Sequence, residues 1–160
     1  MALYSVWIPA ISTGSSANAF ITLAGLKMAN TLGHRCWLRR LTVAGAGGAT
    51  QDVNVSIKID RTGNAGDGTS TSVNLTTISK GDPNSIASRV NLIGKNYTVE
   101  PTTLDGTAGF GGALNSRGIL ILEWVRYDGP MWGINQTLCI LGAPGAATAT
   151  TLNLGLEWEE

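Results

Sequence analysis

The chain has 160 residues, of which 14% are charged, and its 11 Lys and Arg balance its 11 Asp and Glu. That length suits one domain, residues 1–160, with a hydrophobic core and a folded surface of roughly 7,600 Å². Zero net charge excludes strong electrostatic capture of nucleic acid, the lack of any apolar run near about 18 residues excludes a membrane-spanning helix, and two cysteines are too few for a disulfide framework.

An ordinary soluble domain carries about 25% charged residues. A surface this poor in charge suits a protein whose faces are covered by partners. The chain start, Met1-Ala2-Leu3-Tyr4-Ser5-Val6-Trp7, has no basic region followed by an apolar one, so no secretory signal is expected. Residues 4–11 and 19–27 read as strands from their β-branched and aromatic content. Within the first, Trp7-Ile8-Pro9 is apolar, extended and close to a chain end, which makes residues 2–9 a candidate contact surface.

His34, the single histidine, follows Gly33 at the mouth of the next predicted strand, residues 36–44. One imidazole and two distant thiols cannot build the usual His-rich metal site. No Gly-x-Ser-x-Gly elbow accompanies a Ser-His-Asp reading either, so no catalytic, metal or cofactor site is expected. Cys36 and Cys139 sit in apolar strand-like runs and read as two buried free thiols.

The basic cluster His34-Arg35-Cys36-Trp37-Leu38-Arg39-Arg40 is the strongest local charge feature. Its alternation breaks, because Arg39 shares a face with Leu41 and Val43. That predicts either a bulge or an arginine aimed at an interface, with Glu157, Glu159 and Glu160 as candidate partners within or across subunits. Nucleic acid is the weaker reading, because the cluster is embedded in a strand and balanced by acids elsewhere.

Gly45-Ala46-Gly47-Gly48-Ala49-Thr50 invites a phosphate-loop reading and fails it: no Lys-Ser/Thr pair closes the loop, and a strand follows rather than a helix. That strand, residues 52–60, alternates Val53, Val55, Ile57 and Ile59 against Asn54, Ser56 and Lys58, the pattern of a half-buried antiparallel strand. Residues 61–72 read as an exposed hairpin loop. The acids from Asp60 to Asp67 do not match the spacing of a calcium loop and lack its bidentate Glu.

Val73, Leu75 and Thr77 show a shorter alternation. Asp82-Pro83-Asn84-Ser85-Ile86-Ala87 supports one helical turn with Asp82 as its cap. Residues 97–100 read as a strand and residues 106–112 as a second glycine-rich loop. The run Gly118-Ile119-Leu120-Ile121-Leu122 opens a predicted strand over residues 119–127. It is apolar on both sides, so it is expected to be a central strand covered on both faces. Residues 137–141 form a further strand between two tight turns. At the C-terminus Leu152, Leu154, Leu156 and Trp158 share one face, opposite Thr151, Asn153, Glu157 and Glu159. The four Asn-x-Ser/Thr triplets, at Asn54, Asn74, Asn96 and Asn135, are what chance supplies in a Ser/Thr-rich chain.

Of the five tryptophans, Trp7 and Trp132 lie beside prolines and loops, where a partly exposed ring can anchor an interface. Asn135 and Gln136 beside Trp132 keep a carbohydrate platform open. Eight or nine short strands with regular turn signals predict an all-β sandwich, with a jelly roll first and an immunoglobulin-like sandwich second.

Four segments carry a family resemblance: Arg39-Arg40-Leu41-Thr42-Val43; Asn96-Tyr97-Thr98-Val99-Glu100-Pro101-Thr102; Leu114-Asn115-Ser116-Arg117-Gly118 with Trp124 following; and the closing Leu156-Glu157-Trp158-Glu159-Glu160. Their order, from about residue 35 to the end, resembles the jelly-roll head decoration, or cement, proteins of tailed bacteriophages. The resemblance implies a homotrimer without enzymatic activity on the outer capsid surface of the virion, bridging major capsid protein subunits. It implies no nucleic-acid or membrane partner. The residues expected at capsid or subunit contacts are Trp7, Ile8, Pro9, Arg35, Arg39, Arg40, Trp132, Glu157 and Glu159. A receptor- or glycan-binding head domain of a fibre or spike is the alternative.

Overall fold

Residues 1–29, 34–46, 52–62, 68–102, 104–105 and 110–160 are described by the computed structural model. Alternating apolar side chains produce twelve strands among them: β1 (Leu3–Ser12), β2 (Ile21–Met28), β3 (Arg35–Gly45), β4 (Asn54–Arg61), β5 (Thr69–Ser72), β6 (Ser79–Lys80), β7 (Val90–Val99), β8 (Gly111–Asn115), β9 (Ile119–Glu123), β10 (Met131–Gly133), β11 (Thr137–Pro144) and β12 (Thr151–Glu159). They form two antiparallel sheets. The first runs β10-β3-β12-β1-β6, with β9 also paired to β3, and the second runs β5-β7-β2-β11-β4-β8. The fold is a β-sandwich with an accessible surface of 7506 Å².

The core lies between the sheets. From the first sheet come Tyr4, Val6, Ile8, Leu38, Leu41, Val43, Leu152, Leu154, Leu156 and Trp158; Leu26, Met28, Ile57, Ile59, Ile93 and Ile140 meet them from the second. A fully buried aliphatic side chain of this kind contributes about 2 kcal/mol through removal from water. Two bulges keep the parity correct. In β1 the register slips between Ile8 and Ile11, and Ala10 takes a left-handed φ of 56°. The extra residue lets both isoleucines face inward. In β3 the slip falls opposite Glu157 and Trp158, which pair with Arg40 and Leu38. The broken alternation at Arg39 is therefore a bulge. Cys36 and Cys139 are buried free thiols.

Several local expectations are corrected. Strand β9 ends at Glu123 and pairs only with β3, so it is an edge strand. Ile119 and Ile121 are 60% and 44% exposed, not covered. An apolar run without period-2 contrast fits a covered central strand and a solvent-facing edge strand equally. The alternation at Val73, Leu75 and Thr77 is no strand: Leu75–Thr77 is a 3-10 turn, whose Thr76 amide donates to Asn74 Oδ1 at 3.0 Å. Residues 61–72 do not form a hairpin loop, because β4 and β5 are not neighbours in their sheet; residues 63–67 lie outside the described residues. So do residues 47–51 of the first glycine-rich loop and 106–109 of the second, whose Gly111 and Gly112 instead open β8. The turn at Asp82 is present, with the Ser85 amide donating to the Asp82 carbonyl at 3.0 Å.

The two outer faces differ. Every residue of β11 is buried, including Thr137, Cys139, Leu141 and Ala143, which stand outside the core cluster. The middle of the second sheet's outer side is therefore covered, while the outward Asn54 and Ser56 of β4 are exposed. Tyr97 lies over the register pair Gly25 and Gly94, where a Cβ on either glycine has no room beside the phenol oxygen. Glu100 Oε2 accepts from the Thr22 amide at 2.8 Å, Pro101 is buried, and Leu104 bridges to Thr62 at the other end of the sheet. The described residues of the β7–β8 connection thus contact the sheet at both its Thr22 and its Thr62 ends. Among the described residues, the chain that approaches the outer side of the first sheet is the connection from β9 to β10, at Arg126 and Tyr127.

Candidate interaction face

The outward side chains of the first sheet follow from its register. One row crosses four strands as Ile121, Thr42, Gly155 and Trp7. The Trp7 indole lies over Gly155: a Cβ there would sit 3.0 Å from ring carbons Cε3 and Cζ3, and 3.4 Å from Thr42 Cβ. Glycine at 155 is therefore the seat of the ring, which stays 51% exposed. The ring forms one wall of an open groove bordered by Ser5, Arg40, Thr42, Ser79, Gly155 and Glu157.

The adjacent row reads Glu123, Arg40, Glu157 and Ser5. The Arg40 guanidinium lies 3.2 Å from Glu123 and 4.0 Å from Glu157. Beyond it, Arg39 Nη1 donates to Glu159 Oε1 at 3.4 Å, and Arg126 approaches the other oxygen at 3.6 Å. Arg126 also stands over the Tyr127 ring, which packs edge-on against Trp37. The bulge places both Arg39 and Arg40 on this side. Exposed pairs of this kind contribute about 0–1 kcal/mol each, so the network orders the face more than it stabilises the fold.

Trp7, Arg39, Arg40, Glu157 and Glu159 are thus brought together on one uncovered face, with the exposed Arg35 at the start of β3. Pro9 is exposed at the β1 bulge, and its carbonyl accepts from Lys95 Nζ at 3.0 Å. Two residues do not belong to the surface. Ile8 and Trp132 are fully buried, because the β1 register turns Ile8 inward and β10 pairs Trp132 with the core residue Cys36. A carbohydrate platform on Trp132 is thereby overturned. Gln136 closes the β10–β11 turn instead, accepting from the Gly133 amide at 2.8 Å. The third terminal acid serves the fold as well. Glu160 Oε1 accepts from Ser88 Oγ at 2.6 Å and from Trp158 Nε1 at 3.0 Å, and Oε2 accepts from the Arg89 amide at 2.8 Å.

Sequence reasoning missed Ile119, Ile121, Glu123, Arg126 and Tyr127, which complete the face. The charge at Glu123 was the available signal that the apolar run ends at an edge. His34 borders a groove at the chain start with Tyr4, Asp82 and Arg89. Among the described residues no group of three or more His, Cys, Asp or Glu is placed to hold a metal, and no helix is long and apolar enough to cross a membrane. Burial, followed by the Glu160 carboxylate, pushes both the Cys36 thiol and the Tyr4 phenol above their ordinary pKa values. Compared with models of known protein families the chain matches none, and a search of curated proteins finds no match either.

Proposed function

We propose that this chain is a structural virion protein of a tailed bacteriophage: a homotrimeric, jelly-roll-like decoration protein that binds the outer capsid surface and stabilises the head by bridging major capsid subunits. The observation that supports this is the asymmetry of the sandwich. One outer face is buried along its middle strand β11, while the other presents Trp7, Ile119, Ile121 and a lattice of ion pairs. Apolar side chains ringed by paired charges are what a docking face requires. Several such contacts on one oligomer gain strength through effective concentration, so each can be weak.

Removing residues 1–9 is not a usable test, because Tyr4, Val6 and Ile8 belong to the core. Trp7→Ala removes the exposed ring alone. Light scattering is expected to give three subunits or a multiple of three. The wild type is expected to bind capsids lacking the protein, and Trp7→Ala to bind at least tenfold more weakly, about the effect of losing an interface anchor. A lone subunit that ignores capsids refutes the proposal.

A second reading, a receptor- or glycan-binding head domain, is favoured by one observation. The half-exposed Trp7 ring shares its groove with Arg40 and Glu157, an aromatic surface with polar neighbours that suits a sugar. Binding on a glycan array that Trp7→Ala abolishes, without capsid binding, selects it.

A further inference from the structure

We propose that β9 is a self-pairing edge, through which two copies of this chain join their first sheets antiparallel about a two-fold axis at Leu120. The Gly45 amide donates to the Gly118 carbonyl at 3.0 Å, and the Trp124 amide to the Arg39 carbonyl at 3.0 Å. In an antiparallel ladder the paired positions alternate. Leu120 and Leu122 therefore turn their backbone groups toward β3, and Ile119, Ile121 and Glu123 turn theirs outward. Among the described residues, no strand and no hydrogen bond takes up those outward groups.

A chain usually blunts such an edge with lysine, proline or a bulge along its length. Here the strand is Ile-Leu-Ile-Leu-Glu, regular across all five residues. Its charges stand only at its two ends, and they are opposite: Arg117 precedes the strand and Glu123 closes it. Antiparallel pairing of two copies therefore brings Arg117 of each beside Glu123 of the other. Centring on Leu120 also sets Ile119 against Ile121 of the second copy on the outer face and stacks Leu120 on its own copy on the inner one. Both charges are more than half exposed and take part in surface pairs, Arg117 with Asp52 at 3.0 Å and Glu123 with Arg40 at 3.2 Å. Their redirection toward a second copy costs little. A second copy, rather than a foreign strand, is the occupant because this end-to-end charge complementarity belongs to the chain itself.

An isologous contact closes at two copies. It is therefore distinct from any three-fold interface and would join trimers in pairs. The test is sedimentation of the whole protein across concentration, with Ile121→Lys and the control Ile86→Lys, which changes a more exposed isoleucine away from β9. The expected wild-type particle has an even number of subunits. Ile121→Lys enters a two-fold contact twice, so a tenfold loss per site becomes about a hundredfold loss of association, and the particle mass halves. Ile86→Lys leaves the mass unchanged. Hydrogen exchange supplies a second readout: the amides of Ile119, Ile121 and Glu123 slow as concentration rises, and Ile121→Lys abolishes the slowing. A wild type with an odd subunit number, a mass that Ile121→Lys leaves alone, or edge amides indifferent to concentration overturns the proposal. Capsid binding is measured separately, so the failure of one proposal leaves the other standing.

Discussion

Replacement of Glu160 by Ala tests whether the chain end is a clasp. The carboxylate gathers three donors, Ser88 Oγ, the Arg89 amide and Trp158 Nε1. Trp158 is fully buried, so its indole N–H loses its acceptor where water does not reach, at a cost of about 1–3 kcal/mol. The Ser88 and Arg89 groups are half-buried and recover part of their loss from solvent. Together these give a destabilisation of about 2–4 kcal/mol, which in a domain of this size lowers Tm by roughly 5–15 °C. The backbone bonds between Ala2 and Glu160, both 3.0 Å, survive the substitution, so the measured loss belongs to the side chain. Glu160→Gln keeps one acceptor oxygen but turns an amide toward the Arg89 N–H, and is expected to lose about half as much. Denaturant unfolding monitored by tryptophan fluorescence reads both. An Ala variant within about 0.5 kcal/mol of wild type, the range of an inert surface change, refutes the clasp.

Two further outcomes follow from the buried polar groups. Trp132 is as deeply buried as Trp158, yet its Nε1 has no hydrogen-bond partner among the described residues. Trp132→Phe is therefore expected to cost only lost volume, whereas Trp158→Phe also strips the Glu160 carboxylate of a donor; unfolding should show the second variant to be the less stable by about 1–2 kcal/mol. Cys36 and Tyr4 both have folded-state pKa values raised above their ordinary 9.0 and 10.0. Below pH 9 both groups are protonated in both states, and their contribution is fully present. As pH rises beyond that, the unfolded chain releases protons the folded chain retains, so stability falls. Urea midpoints should decline from pH 9 to 11, and less steeply in Cys36→Val; an unchanged slope in that variant refutes the assignment.

Much of the sandwich was legible because period-2 alternation encodes burial directly. The register of β12 and β4 follows from Leu152 to Trp158 and from Val53 to Ile59, and the misplaced Arg39 announced its bulge. Short strands were not legible. β6 is two residues long, β10 is three, and β8 begins with two glycines, so each takes its conformation from the neighbour it pairs with rather than from its own side chains. The candidate face was half legible. The charges of Arg39, Arg40, Glu157 and Glu159 stood out, and the pairing of the first two with acids near the chain end was foreseen. Which tryptophan reaches solvent was not legible: Trp7 and Trp132 both flank proline, and only the position of each strand in its sheet separates a half-exposed ring from a buried one.

The same positional logic explains why the exposed apolar residues gather where they do. A long connection is needed wherever successive strands lie far apart in one sheet, as β7 and β8 do with β2, β11 and β4 between them, and a connection that crosses a sheet must lie on its outer face. The middle of the second sheet is thereby roofed by the chain itself, and the outward positions on β11 are buried. The first sheet receives β3 and β12 in its interior and β6 and β9 at its edges, and among the described residues the chain that approaches its outer side is the β9–β10 connection, at Arg126 and Tyr127. Among the described residues, Trp7, Ile119 and Ile121 there stay 51%, 60% and 44% exposed. Trp7 in particular is held by a glycine that has no other visible task. A chain selected only for the stability of a lone sandwich gains little from that arrangement, since a polar residue at 7 and a β-branched one at 155 suit an exposed sheet better. The pair makes sense when the ring's outer side is buried against something else.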